Sequence, residues 1–533
     1  MSGRRDALER ALCGAVFALC CAMTAYYLIA GYGAYLDADM ASELTLAQHL
    51  CERGALVSTG WYYSTEVRLL STQLVYTPLM AIFPHDWRLV RTLGDLMLMA
   101  MLAGAVFFAA RQTGARRRWA LLLAGLSLCP VSPLYAQFVV IGAYYVPHAV
   151  LTLLLLGLYA RAMRPGRRAG SALLLLLALS LLMGMSSVRY LMCALLPLCG
   201  AALWQFVFAA REEAPRTRRQ FALAGLGMGA AACGAGGYLF SQRVLTRVLH
   251  WGNGYYAGAG YEPLGEGSLA DKAQTIVKGL LDVLGYADGA TLFSLHGVLN
   301  ALILLAVLAG ALLVLRLLRG VRCGEEDGAE RARLSGLMLV IAAALSFAMF
   351  LLLRSMYVDR YWIPVVTLAM PVLAVALSRE RNAVFRALVA GLLCVSVLVP
   401  AASCVKNSMA HPAVEADRRM AAVEAIRERG LTKGYATFWN ANIVTELSDG
   451  EIEVVALGIT DGGMTPYRWL EAEESFSMDA PEEPVFLLLG VWEEDGLDGF
   501  LLRCQATRVV LDGWINLYEI PSQRLLFEAM DAV

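Results

Sequence analysis

Long apolar runs separated by short polar linkers occupy the first three quarters of the chain, at 11–30, 89–110, 119–138, 144–162, 172–188, 191–210, 221–240, 298–318, 334–353, 361–377 and 387–405. Each approaches or reaches the length a helix needs to cross a bilayer. The block 69–83 is shorter and interrupted by Pro78, so it reads as an interfacial or re-entrant segment. After 405 the pattern changes. Helical spacing over 413–429 is stopped by Gly430, and short runs at 452–457, 485–489, 508–511 and 514–520 read as strands, the last two joined by Asp512 and Gly513. The pattern predicts a mainly α, polytopic membrane protein of about 11 transmembrane helices over residues 1–405, followed by a small external α/β domain over 406–533.

Composition agrees: of 533 residues, 58% are hydrophobic and only 17% charged, whereas a soluble chain carries about a quarter charged. The net charge of -1 gives no sign of a nucleic-acid partner; the charges are sorted by side. Arginine clusters at 111–118, 161–168, 211–219, 316–322 and 379–386 all fall on one side of the proposed spans. By the positive-inside rule that side is cytoplasmic, which puts the N-terminus in the cytoplasm and the C-terminal domain outside the cytoplasmic membrane. Most of the twelve cysteines lie in apolar runs and read as packing residues. Cys51, Cys404 and Cys504 fall in expected external regions, and whether they pair is left open.

Candidate chemistry concentrates in the loop 34–68, AYLDADMASELTLAQHLCERGALVSTGWYYSTEVR. Residues 41–50 have amphipathic spacing suited to a helix along a membrane surface. Asp37 and Asp39 precede it, where free N–H groups and the helix dipole favour carboxylates; two such acids also suit general-base work or a divalent cation. Glu66 and Arg68 recur with Gln73 among apolar residues, either as functional groups or as a structural pair. Arg91 and Asp95, four apart, share a helix face and read as structural. Arg360, followed by Tyr361 at the mouth of a span, is either an interfacial anchor or a bidentate phosphate grip. Arg189 and Arg354 are weaker versions of the same idea.

An acid opening the segment from Asp39 to Ala47, the block Tyr76-Thr77-Pro78-Leu79, a span begun by Arg91, and the late Asp359-Arg360-Tyr361-Trp362-Ile363-Pro364 together resemble the GT-C superfamily of polyprenyl-phosphate-sugar-dependent glycosyltransferases. The likeness is to its bacterial branch, akin to protein mannosyltransferases and aminoarabinose transferases. It covers roughly residues 11–410. It implies a hexosyl- or pentosyltransferase taking sugar from a polyprenyl-phosphate donor to a glycan, lipid or protein acceptor on the outer face of the membrane. Asp39 is then the base, although Met40 follows it where relatives carry Glu; Asp37 or Glu43 is placed to supply that carboxylate. His148 stands where many relatives place an acid, either to contact donor phosphate or a metal or as a histidine hydrogen-bonded at a helix end. Arg360 and Tyr361 bind donor. Asp37, Glu66, Arg68 and His148 position substrate, and an optional Mg or Mn ion would fall to Asp37 and Asp39. Apart from the resemblance, the C-terminal domain is expected over the site, helping to admit the acceptor; its Trp439-Asn440-Ala441-Asn442 carries aromatic and amide groups suited to sugar, and reads otherwise as a structural turn. A lipid-linked sugar transporter or a non-catalytic glycan-assembly protein are the alternatives, the first disfavoured by the lack of internal repeats.

Overall fold

The computed structural model describes residues 2–32, 36–164, 168–209, 218–251, 268–320, 328–352, 357–410, 414–510 and 513–531. Arg354, Asp512, and most of the Gly- and Tyr-rich stretch after Trp251 lie outside the described residues, as do parts of the arginine clusters. Among the described residues nine helices are long and apolar enough to cross a membrane, or ten if one bent pair is a single span. Of the elements used below, α1 is Ser2–Ala30, α2 Ala38–Arg53, α3 Gln73–Ile82 and α4 Trp87–Thr113. The short apolar block is thus a ten-residue helix containing Pro78, α3, as its length suggested.

The run 119–138 departs from expectation. Its first half is the helix α5, Arg117–Leu126; the chain then leaves helical geometry and re-enters at Pro133–Tyr135 and a π-turn over Ala136–Ile141. This piece is bent by 77° against α6, Val146–Ala162. Two prolines, Pro130 and Pro133, deny the continuous ladder its donors, and Ser132 caps the restart by accepting from the Tyr135 N–H at 3.0 Å. The irregular backbone is tolerated because it is buried in protein: Ser127, Leu128, Cys129 and Ser132 are all inaccessible.

Two further helices, α7 (Arg168–Ser186) and α8 (Arg218–Arg243), meet at glycines. A Cβ on Gly184 would stand 1.9 Å from the Gly234 carbonyl oxygen, so this approach requires glycine. At one end of the bundle Arg118 pairs with Asp6 (2.8 Å) and Glu9 (3.0 Å), and Arg386 reaches Glu9 at 3.5 Å. The start of α1 and two arginine clusters therefore share a side, and α2 lies at the other.

The C-terminal part holds a six-stranded sheet, to which β2 (Lys433–Thr437), β3 (Glu453–Thr460), β4 (Gly463–Pro466), β6 (Val485–Gly490), β7 (Thr507–Val510) and β8 (Ile515–Ile520) contribute in the order β4-β3-β2-β6-β8-β7. The three central strands are parallel, with Tyr435 opposite Val455 and Leu487. All six residues of β6 are buried, which explains its unbroken apolar run. The strands β2 and β4 were not anticipated. A separate pairing joins the two parts of the chain: β1 (Trp61–Tyr62), from the first loop, lies antiparallel to β5 (Glu471–Ala472). Trp61, Leu46 and Leu50 pack in one hydrophobic cluster with Val423, Ile426, Phe438 and Val444. The first loop and the C-terminal part thus share a core. Cys51, Cys404 and Cys504 are not joined by disulfides among the described residues, and Cys404 belongs to the long helix Ala383–Ala410.

Candidate active site

The acid-bearing turn is shaped by its helix cap. The helix α2 begins earlier than its amphipathic spacing suggested, so Asp37 is the N-cap and Asp39 stands in the first turn rather than before it. One Asp37 carboxylate oxygen accepts from the Met40 N–H at 2.8 Å and the other from the Gln137 side-chain amide at 2.6 Å. Burial, and then the neighbouring Asp39 charge, hold the Asp37 carboxyl above its ordinary range against these two hydrogen bonds. Asp39 differs: its side chain keeps 38% of its exposure, and its carboxylate lies 4.0 Å from the Arg360 guanidinium. That distance allows attraction but is too long for a hydrogen bond.

Arg360 comes from a single helical turn, Asp359–Trp362, that opens the helix Ile363–Arg379. Its guanidinium lies over the Phe138 ring, 4.9 Å from the centroid, so the π-turn of the broken segment forms the floor beneath it. Tyr361 stacks on Phe350 with centroids 5.5 Å apart, and Arg189 lies over the other side of the site, 5.0 Å from the Tyr361 centroid. Arg189 also donates to the Tyr145 hydroxyl (3.2 Å) and pairs with Glu66 (3.3 Å). Glu66 is fixed in turn by the Ser187 hydroxyl at 2.6 Å. His148 is stacked between Tyr145 and Tyr190, with centroid distances of 5.6 and 4.8 Å, and among the described residues neither ring nitrogen meets a hydrogen-bond partner. Tyr145, His148, Arg189, Tyr190, Phe350 and Tyr361 line a largely apolar cavity of about 190 Å³.

Several pairings differ from those the sequence suggested. Glu66 and Arg68 do not pair with each other: Glu66 takes Arg189, while Arg68 reaches Glu43 at 3.3 Å and Ser64 at 3.4 Å. Glu43 also accepts from Thr72 and, at 3.0 Å, from Gln73, and Arg68 is held with positive φ, 51°, a costly conformation for a side-chain-bearing residue. Arg91 meets Glu446 of the C-terminal part rather than Asp95, whose carboxylate accepts from the Tyr76 hydroxyl. Of the residues the sequence singled out, His148, Tyr361 and Arg189 line the cavity, Glu66 joins it through Arg189, and Asp39 faces Arg360, the neighbour of Tyr361 in sequence; Asp37 and Arg68 support Asp39 and Glu43. Arg189 proves more central than its sequence context suggested. Gln137 and Phe138 went unnoticed; the signal was a lone amide in an apolar run.

Both Asp37 oxygens accept from N–H donors and the Arg360 guanidinium lies 4.0 Å from the Asp39 carboxylate, so a Mg or Mn ion held by these two acids would take most of its ligands from water and phosphate oxygens. Among the described residues no three His, Cys, Asp or Glu side chains converge as a metal site.

Neither a family model nor a curated protein matches the sequence. Solved structures do match the fold. ArnT from Cupriavidus metallidurans in the apo state aligns with a TM-score of 0.57 and 13% identity, over 97% of this chain and 98% of that one. ArnT from the same organism, bound to undecaprenyl phosphate, aligns with a TM-score of 0.56 and 13% identity, over 98% and 99%. A likeness spanning both the apolar helices and the C-terminal part, at so low an identity, establishes architecture: this chain has the fold of ArnT.

Proposed function

We propose that this chain is a membrane glycosyltransferase that moves a sugar from a polyprenyl-phosphate donor to an acceptor hydroxyl. The observation that carries the reading is a pair of unlike groups, an accessible carboxylate, Asp39, 4.0 Å from a guanidinium, Arg360, whose neighbour in sequence, Tyr361, lines an apolar cavity. A lipid phosphate presents the complementary chemistry, an anion on a hydrocarbon chain. In this reading Arg360 and Arg189 are the cations that meet its phosphate, and the apolar walls of the cavity take its first isoprene units. His148 lines the same cavity, stacked between Tyr145 and Tyr190.

In the reaction, the acceptor oxygen attacks the anomeric carbon and forms the new glycosidic bond. The bond from that carbon to the phosphate oxygen breaks, and its electron pair leaves with the polyprenyl phosphate. Asp39 takes the acceptor proton as the bond forms. Arg360, its guanidinium laid over the Phe138 ring, meets the negative charge that grows on the departing phosphate. Asp37 and Glu66 hold their neighbours in place.

The test is direct. Purified protein in liposomes is given a polyprenyl phosphate labelled in its sugar, with candidate glycan, lipid or protein acceptors. Label on an acceptor with stoichiometric release of polyprenyl phosphate supports the proposal. Intact labelled donor appearing in the opposite leaflet identifies a transporter, and donor binding without either outcome identifies a non-catalytic protein. Whether the sugar is a hexose or a pentose is read from which donor turns over.

A further inference from the structure

The base in this reading sits in the first loop, yet its backbone is held from the C-terminal part of the chain. Met40, next to Asp39, is fully buried, and both of its peptide groups are gripped. Its N–H goes to Asp37 at 2.8 Å, and its carbonyl accepts from Arg91 Nη2 at 2.8 Å. The same guanidinium makes two bonds to Glu446, from Nε to Oε1 at 2.5 Å and from Nη2 to Oε2 at 2.8 Å. Glu446 has no exposed surface and Arg91 has 1%. Glu446 lies on the short helix Ala441–Leu447, which packs against α2. Two residues beyond that helix, Asp449 accepts from the Trp87 N–H at 2.8 Å, fixing the first residue of α4 beside Arg91.

A buried ion pair is a poor source of stability, because removing both charges from water costs about as much as their attraction returns. Apolar side chains would join the two parts of the chain as well. What they could not do is present an N–H to the Met40 carbonyl. The bidentate grip of Glu446 fixes the plane of the Arg91 guanidinium, and that plane sets where Met40, and with it Asp39, stands.

We propose that Glu446 is a positioning residue for transfer, acting through Arg91 on the Met40 carbonyl, so that the C-terminal part sets the geometry of the Asp39 turn. This rests on the reading of Asp39 as the base. Misplacement of a reacting group by about 1 Å costs on the order of 10²-fold in rate, so the loss is expected in kcat and not in donor affinity, which Arg360 and Arg189 carry.

The double variant Arg91→Met/Glu446→Leu replaces the pair with apolar side chains of similar size and leaves neither member of the pair without its partner, while Asp95 keeps its bond from the Tyr76 hydroxyl. Its melting temperature should match or exceed that of the unaltered protein, while kcat falls about 10- to 100-fold and KM for the donor stays within about twofold. Arg91→Lys is the companion: its ammonium can still neutralise Glu446 but lacks the planar fork that serves Glu446 and Met40 together. It should show the same split and decides the matter if the double variant does not fold. Unchanged kcat in either folded variant overturns the proposal. So does a fall in kcat that merely tracks a fall in melting temperature, which is what a structural role produces. Asp39→Asn is measured alongside. If it too retains full transfer, the base assignment has failed; if it is inactive while the double variant is normal, only the positioning role has.

Discussion

Asp37 and Asp39 differ by two positions in sequence and by their whole surroundings in space. Asp37 has spent both oxygens on the Met40 N–H and the Gln137 amide, whereas Asp39 keeps an accessible carboxylate facing Arg360. Asp37→Asn should therefore be mild. The asparagine oxygen can still cap α2, and Gln137 can turn its own oxygen toward the new amide, so a loss of roughly the few tenths to 1 kcal/mol of a weakened cap is expected in thermal unfolding, with transfer largely kept. Arg360→Ala removes a charge-assisted phosphate contact and should weaken donor binding by about 1.5 to 3 kcal/mol, while Arg360→Lys should recover only part of it; equilibrium binding of labelled donor measures both. Unchanged affinity in Arg360→Ala would return the residue to the role of interfacial anchor. The sequence exposed these residues because charges in apolar surroundings are conspicuous. It could not show that Glu66 would turn to Arg189 and Arg68 to Glu43, since such partners lie 123 and 25 positions away and are fixed only by helix packing.

Among elements, the broken segment before α6 is the least legible. Its composition is that of a span, and only Pro130 and Pro133 hinted that the chain would bend and lay Phe138 under Arg360. The pairing of β1 with β5 was equally hidden, because a two-residue strand has no period to read. That junction carries a pH dependence. Glu471 in β5 is buried and accepts from the N–H groups of Ala456 and Ala472, each at 3.2 Å. Burial, only partly offset by these bonds, pushes its carboxyl up to about 7 from an ordinary 4.5. Between those values the folded protein holds a proton that the unfolded chain has released, so stability should fall as pH rises from about 4.5 to about 7. The change attributable to this residue is on the order of 1–3 kcal/mol. Melting curves in detergent across that window should show the slope, and Glu471→Gln should remove it.

At the scale of the whole molecule, the alternation of apolar runs and arginine clusters carried nearly all of the membrane architecture, because length and charge sorting are properties a sequence displays openly. The division of labour between the two parts of the chain was not displayed. Trp61 and Leu46 pack into the same core as Val423 and Phe438, so removing residues 406–533 would strip the cover from the first loop as well as the C-terminal sheet. Truncation should abolish transfer and donor binding together, which substitutions at the Arg91–Glu446 contact avoid. Sidedness is tested by single cysteines: Leu56→Cys and Leu502→Cys, at exposed positions, should react with an impermeant label in intact cells, and Gly170→Cys, in open space at the opposite end, should not. The reverse result would invert the protein and place Asp39 on the cytoplasmic face. The most direct test of the central claim is sugar transfer by Asp39→Asn in liposomes with a labelled polyprenyl-phosphate donor. The side chain keeps its size and loses its basicity, so turnover should fall roughly 10²- to 10⁴-fold with donor binding retained; turnover at the rate of the unaltered protein would contradict the assignment of Asp39 as the base.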